Sequence, residues 1–105
     1  MENMKALYII VNAGYAQDVI EITREMGAGG ATILNARGSA PRHEVFMGIT
    51  LDTEKEIVLC LTAQTTAQRI MEAVKQRAGV GTPVHGVCFT TPVDSIIGLN
   101  IPQDR

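Results

Sequence analysis

The run EIVLCLT, residues 56–62, decides how this chain folds, because apolar side chains follow one another along it almost without a break. Such a run is typical of a central β-strand that is covered on both faces. A second run, KALYIIV at residues 5–11, is similarly short and rich in β-branched residues, and it ends at the turn sequence Asn12-Ala13-Gly14. The sequence therefore predicts two central strands with apolar side chains on both faces.

Two amphipathic helices are predicted beside these strands. Apolar residues recur at helical spacing over residues 16–26, and Gly27 follows as a residue that commonly ends a helix. A second helical face begins near Thr65, which forms a capping-box pattern with Gln68, and it ends at Gly79. Each helix is thus expected to bury one side against the sheet.

Three further segments have an extended pattern, and they are residues 31–36, 45–51 and 86–91. With residues 5–11 and 56–62 there are five extended segments, and we interpret the order as β-α-β-β-α-β, which predicts an α+β, ferredoxin-like sandwich with two helices on one face of a four-stranded antiparallel sheet. Two helices cover only one face of such a sheet. Since residues 5–11 and 56–62 are apolar on both faces, we expect another copy of the chain to cover the second face.

The composition indicates one folded domain over residues 1–105, with 46% hydrophobic and 19% charged residues. A formal net charge of -2 without a basic cluster gives no field that would attract nucleic acid. The apolar run at residues 6–11 is too short to span a bilayer and has no cleavage-site pattern. We therefore expect a cytoplasmic protein with no nucleic-acid partner.

The usual signatures of enzymes and zinc sites do not occur in the sequence. Cys60 and Cys88 each lie within an apolar stretch and are expected to be packing residues, while His43 and His85 lie in predicted loops. The glycine-rich segment 27–30 follows a helix, whereas dinucleotide and P-loop glycines follow a strand and open a helix. Its expected role is a helix end with a tight turn.

The loop over residues 37–44 is the part of the sequence that says most about function. It brings Arg37, Gly38, Ser39 and Arg42 together between two strands, where a hairpin would need only two residues. Long polar loops on a rigid scaffold are typical of binding sites. The alternative is an ordinary solvated connection, since loops of four to six residues are common.

With its β-α-β-β-α-β order, the chain resembles the PII signal-transduction family, in particular its shorter PII-like members, from Lys5 to Leu99. The resemblance rests on short pieces in a fixed order, which are Gly30-x-Thr32, Arg37-Gly38, Glu54-Lys55-Glu56-Ile57-Val58 and Gly86-x-x-Phe89-x-x-Pro92-Val93. It implies a homotrimer whose sheets face a central barrel, with effector sites in the clefts between subunits. That arrangement agrees with the uncovered sheet face inferred from the residues.

The resemblance also implies an adenine nucleotide as effector and a T-loop that docks onto a membrane transporter or a metabolic enzyme. Residues 38–45 correspond to the T-loop, and residues 92–105 form a C-terminal tail. The residues expected to bind the nucleotide are Gly30, Thr32, Arg37, Gly38, Ser39, Arg42, Glu56, Val58 and Gly86.

Carried over by position, Gly30 and Thr32 would lie beside the base, and Gly38 would let the backbone approach the phosphates. Glu56 and Val58 would line the cleft from their strand. Gly86 would then match the glycine of the loop before the last strand.

The chain departs from family members that bind ATP with 2-oxoglutarate. Those proteins carry lysine and arginine where this chain has Val87, Gly98 and Asn100, so a polyphosphate would lose most of its cationic partners here. The loop also has no tyrosine for uridylylation. Because Arg37 and Arg42 remain as anion contacts, AMP, ADP or a cyclic nucleotide is expected ahead of ATP.

Two other classes of function stay open at this point. A similarly folded, trimeric, CutA-like metal-binding or tolerance protein would draw its ligands from His43, His85, Cys60 and Cys88. A small enzyme would use Arg37 and Glu56 across an interface, but the sequence identifies no activated nucleophile or base. The prediction is therefore a regulator that is not an enzyme and requires no cofactor.

Overall fold

The computed structural model describes residues 3–39, 45–46, 49–50 and 53–99. The elements in these ranges are β1 (Met4–Asn12), α1 (Ala16–Glu25), β2 (Thr32–Gly38), β3 (Val45–Phe46), β4 (Ile49–Thr50), β5 (Thr53–Ala63), α2 (Gln64–Ala78) and β6 (Val87–Pro92). Four strands form an antiparallel sheet in the order β2-β5-β1-β6. Both helices pack on one face of this sheet. The predicted ferredoxin-like fold is confirmed.

The predicted extended segment 45–51 does not join this sheet where it is described. Val45 pairs with Thr50 in a separate two-stranded ladder formed by β3 and β4. The partner of β2 is β5, whose first residue, Thr53, pairs with Gly38. The expectation of a sheet strand at 45–51 was therefore wrong at these residues, because β5 takes up the pairing of β2 along its whole length.

The helix-covered face of the sheet carries the core. Leu7, Ile9 and Val11 of β1 are completely buried, and so is Val58 on the neighbouring strand β5. They pack with buried residues of both helices, which are Val19, Ile20 and Ile22 of α1 and Ala67, Ile70 and Val74 of α2. Full burial of side chains of this size contributes about 1.5 to 3 kcal/mol each to folding. The core is thus built from aliphatic residues, as the composition predicts.

The opposite face of the sheet, called the open face below, is also apolar. Tyr8 pairs with Leu59 on one side and with Phe89 on the other, so these three side chains lie on the same face. The rings of Tyr8 and Phe89 stack with centroids 4.8 Å apart. Phe89 is 45% exposed and Leu34, on the edge strand β2, is 43% exposed. The prediction of apolar residues on both faces is confirmed.

Helix α1 ends as its glycine predicts. Gly27 has a φ of +103°, which is the left-handed region that favours glycine. Its N–H donates to the carbonyl of Arg24, and the N–H of Ala28 donates to the carbonyl of Thr23. These two bonds form a Schellman motif, in which backbone donors beyond the helix satisfy its last carbonyl groups.

Helix α2 begins differently from the prediction. Its N-cap is Ala63, so Thr65 and Gln68 lie inside the helix and the predicted capping box is wrong. The first helical N–H, that of Gln64, donates instead to the carbonyl of Asn3 at 3.0 Å. Among the described residues, neither helix is long and apolar enough to cross a membrane.

Candidate functional site

Four chain segments meet at one end of the sheet. β1 and β2 end there and β5 begins there, because Asn12 pairs with Lys55 and Gly38 pairs with Thr53. The segment that leads from α2 into β6 also comes to this end, where its carbonyl groups accept hydrogen bonds from Asn12. We call this region the sheet end, and it consists of residues 12–15, 37–39, 53–56 and 79–86.

Asn12 connects three of these segments. Its side-chain Nδ2 donates to the carbonyl of Pro83 at 2.9 Å, and its backbone N–H donates to the carbonyl of Val84 at 3.0 Å. The ammonium Nζ of Lys55 donates to Asn12 Oδ1 at 2.7 Å. The stem of Lys55 lies over Gly38, where an added Cβ would be 3.5 Å from Lys55 Cε. Sequence reasoning did not single out Asn12 or Lys55 for this role.

Glu56 acts as a cap for helix α1. Its Oε1 accepts hydrogen bonds from the backbone N–H groups of Gly14 at 3.0 Å and Ala16 at 3.2 Å. The N-cap residue of the helix, Tyr15, makes no side-chain cap bond. A carboxylate at the N-terminus of a helix satisfies free donors and complements the helix dipole. In the single chain the Glu56 carboxylate is therefore engaged in structure, and its contact with a nucleotide stays a prediction.

The 79–86 segment is tightly bonded to itself and to α2. Thr82 Oγ1 donates to the carbonyl of Gly79 at 2.7 Å, and the N–H of His85 donates to the carbonyl of Thr82 at 3.1 Å. His85 has a φ of +53°, an uncommon conformation for a residue other than glycine. Gly86 donates its N–H to the carbonyl of Ala78 at 2.7 Å. These hydrogen bonds define the conformation of the 79–86 segment that leads into β6.

The residues expected to bind a nucleotide fall into two groups. Arg37, Gly38, Ser39, Glu56 and Gly86 belong to the sheet end. Gly30 and Thr32 lie at the opposite end of β2, with Thr32 paired to Leu59. Thr32 and Gly38 are six residue steps apart along the strand, which corresponds to roughly 20 Å.

Val58 and Arg42 belong to neither of these two groups. Val58 is completely buried, and its strand pairs with Ile9 on one side and Ile33 on the other, so it offers no exposed surface to a ligand in the single chain. Arg42 lies outside the described residues. Their roles at the nucleotide stay predictions.

The cysteines fit the packing role that the sequence predicts. Cys60 is buried and Cys88 is partly buried, and both are free thiols. Burial raises the pKa of both thiols, although a hydrogen bond with Thr23 opposes the rise at Cys60. Of the candidate metal ligands, His43 lies outside the described residues, and no group of three or more His, Cys, Asp or Glu side chains within the described part of the chain could hold a metal ion.

A groove of about 450 Å³ lies between α2 and β6. It is lined by Gln68, Met71, Glu72, Lys75 and Cys88. Sequence reasoning did not point to it, because Met71 belongs to the ordinary apolar face of α2 in the sequence pattern.

Several solved structures share this fold. GlnK of B. subtilis, in a complex with ATP, is 15% identical with a TM-score of 0.69, over 89% of this chain and 84% of that chain. A PII-like signaling protein of Thermus thermophilus is 18% identical with a TM-score of 0.67, over 88% and 87% of the two chains. The divalent ion tolerance protein CutA1 of Ehrlichia chaffeensis is 14% identical with a TM-score of 0.69, over 93% and 88%. The fold is thus of the kind that PII and CutA proteins share.

A family match of the sequence distinguishes between the PII and CutA classes. Residues 4–101 match the family described as Nitrogen regulatory protein P-II. The match spans almost the whole chain, so the chain belongs to the P-II family and is a PII-like regulator. No curated protein gives a significant sequence match. The resemblance inferred from the short sequence pieces is confirmed.

Proposed function

We propose that this protein is a trimeric PII-like regulator that senses an adenine nucleotide between its subunits and controls a partner protein through loop 38–45. The observation that carries the proposal is the division of the expected site along β2. Thr32 and Gly38 lie at opposite ends of this strand, roughly 20 Å apart, which is longer than AMP. A nucleotide that uses both groups must therefore draw them from two copies of the chain.

The open face supports contact between such copies. Tyr8, Leu59 and Phe89 form its middle, and Leu34 extends it onto the edge strand. An exposed apolar surface of this kind on a small protein marks an interaction site. Membership of the P-II family supports three copies as the assembly. In this arrangement the sheet end of one subunit faces residues 30–32 of the next.

The charges at the sheet end favour a nucleotide with few phosphates. Within its residues there are two cations, Arg37 and Lys55, and two carboxylates, Glu54 and Glu56. Such a balance gives little attraction for a polyphosphate. The GlnK structure contains ATP, whereas we propose AMP, ADP or a cyclic nucleotide as the effector of this chain.

Loop 38–45 is the proposed contact with the partner, which is a membrane transporter or a metabolic enzyme. It leaves the sheet end at Gly38, beside Lys55, so a ligand at the sheet end acts on the base of the loop. The protein acts in the cytoplasm in this proposal, where adenine nucleotides report the energy state. Deleting residues 39–44 should abolish capture of the partner and leave the trimer intact, and unchanged capture would contradict this role.

The effector is identified by thermal unfolding with AMP, ADP, ATP, cyclic AMP and 2-oxoglutarate. A ligand present at 100 times its Kd stabilises a protein by about 2.7 kcal/mol, which gives a clear shift of the Tm. We expect a shift with AMP, ADP or cyclic AMP, and a smaller one or none with 2-oxoglutarate. A flat panel would contradict the proposal that the site binds adenine nucleotides.

A complementation experiment tests whether the site is shared between subunits. Gly30→Glu and Ser39→Glu each place a carboxylate in one half of the site, and both positions are exposed. Neither variant should bind the nucleotide alone. When the two are refolded together, about a quarter of the clefts should combine two intact halves and bind it again, if the copies mix at random. Mixed trimers without restored binding would contradict a shared site.

A further inference from the structure

We propose that Asn12 is a positioning residue that couples the 79–86 segment to the base of loop 38–45. The inference rests on the proposed function only in naming these segments as the ligand and partner sides of the protein. The coupling itself is a property of the chain, because Asn12 is bonded to Pro83 and Val84 on one side and to Lys55 on the other. It is therefore testable without any nucleotide.

The chemistry of the two side-chain bonds requires an amide at position 12. The Asn12 side chain donates from Nδ2 to the carbonyl of Pro83 and accepts at Oδ1 from the ammonium of Lys55. A flipped amide would put two oxygens together on one side and two donor groups together on the other, so only one orientation satisfies both partners. A shift of the Pro83 carbonyl must then turn the amide and move the acceptor of Lys55.

Lys55 carries this movement to the loop base. Its side chain is partly buried and its stem lies over Gly38, the last residue of β2, where an added Cβ would be 3.5 Å from Lys55 Cε. Its ammonium is held by Asn12 Oδ1 at 2.7 Å. Because the stem lies over Gly38 and the ammonium is bonded to Asn12, a displacement of the ammonium shifts the stem over the residue at which loop 38–45 begins.

The turn that carries Asn12 is itself well anchored. The N–H of Ala13 donates to the carbonyl of Glu54 at 3.2 Å, and the N–H of Tyr15 donates to the carbonyl of Asn12 at 3.2 Å. Glu56 holds the N–H of Gly14 at 3.0 Å. These bonds keep the backbone in place against β5, so the side-chain amide is the part of Asn12 that is able to respond to the 79–86 segment.

The test perturbs the 79–86 segment and measures the effect at loop 38–45. Thr82→Ala removes a hydroxyl that donates to the carbonyl of Gly79 at 2.7 Å and accepts from the N–H of His85 at 3.3 Å. The change loosens the 79–86 segment without touching Asn12 or Lys55 directly. Amide hydrogen exchange is followed by mass spectrometry in a peptide that covers residues 38–46, with Asn12 intact and in the Asn12→Ala background.

We expect Thr82→Ala to change exchange at residues 38–46 by at least about fivefold when Asn12 is intact, the lower end of typical coupling between sites. In the Asn12→Ala background the same perturbation should change it by less than about twofold. Equal changes in both backgrounds, or no change with Asn12 intact, would overturn the inference. Failure of nucleotide binding bears on the proposed function alone and leaves this comparison valid.

Two more variants keep the test decisive if Asn12→Ala is poorly folded. Asn12→Asp retains an acceptor for Lys55 but loses the donor to Pro83, and Lys55→Met keeps an apolar stem but loses the ammonium. Both should break the coupling, and retained coupling in either variant would overturn the inference. Gln17→Ala on the exposed side of α1 is the matched control for amide removal and should leave the coupling intact.

Discussion

Replacement of Gly86 by alanine should destabilise the protein even when no ligand is present. A Cβ at this position would lie 2.6 Å from the carbonyl oxygen of Ala78 and 3.1 Å from Cγ1 of Val74. The closer atom belongs to the backbone at the end of α2, so it cannot move aside as a flexible side chain would. The N–H of Gly86 also donates to that same carbonyl at 2.7 Å, so a movement of Gly86 away from α2 would weaken this hydrogen bond.

The size of the effect follows from these contacts. Overpacking of a buried site costs about 1 to 3 kcal/mol, and weakening of one backbone hydrogen bond adds about 1 kcal/mol. Alanine restricts the unfolded chain more than glycine does, which offsets about 0.4 to 1 kcal/mol of this cost. We therefore expect Gly86→Ala to lower the free energy of unfolding by about 1 to 3.5 kcal/mol.

Gly30→Ala is the matched control. A Cβ on Gly30 meets no heavy atom within 4 Å, and its backbone is not in the left-handed region. Its stability should remain within about 1 kcal/mol of the wild type. Urea unfolding without nucleotide, at equal protein concentrations, measures both variants. Equal midpoints for Gly86→Ala and Gly30→Ala would refute the packing role of Gly86 and leave ligand contact as its function.

Three further predictions test other parts of the structure. Leu59→Asp places a charge in the middle of the open face, so light scattering should show smaller assemblies, whereas an intact trimer would contradict the role of that face. Glu56→Ala removes the cap of α1 and should cost about 1 kcal/mol in urea unfolding without ligand, and an unchanged midpoint would show that the carboxylate does not cap the helix. Because burial raises the pKa of the thiols, alkylation of Cys88 and Cys60 should be slow at neutral pH and accelerate as the pH rises, and fast neutral labelling of Cys60 would contradict its burial.

The central strands were predictable from sequence because their signal is local. Residues 5–11 and 56–62 are apolar at almost every position, and this pattern alone predicts apolar side chains on both faces of the sheet. The end of α1 was predictable for the same reason, since Gly27 follows directly on the last apolar residue of the helix.

The contacts that shape the sheet end were not predictable in this way. Glu56 caps a helix that begins 40 residues earlier in the chain, and Lys55 reaches Asn12 across 43 positions. Helix α2 starts at Gln64 because the carbonyl of Asn3 accepts its first N–H. Patterns within one turn or strand carry no information about such distant partners, so the capping-box pattern at Thr65 did not mark the start of the helix, whose N-cap is Ala63.

The distance between the two halves of the proposed nucleotide site was also not predicted from the sequence. Gly30, Thr32 and Gly38 are neighbours in sequence and follow one another in the resemblance to the PII family. Only the extended geometry of β2 shows that one chain holds them far apart. The sequence predicts the residues and a second copy of the chain, whereas the distance between Thr32 and Gly38 follows from the structure of β2, and the roles of these residues stay predictions.

Native mass spectrometry of the purified protein with AMP, ADP or cyclic AMP, each in turn, tests the central claim most directly, because it counts chains, nucleotides and metal ions in one particle. The proposal predicts particles of three chains that take up as many as three nucleotides, with binding lost in the Ser39→Glu variant. A trimer that takes up no adenine nucleotide and retains copper or zinc would contradict it and support a CutA-like metal-binding function.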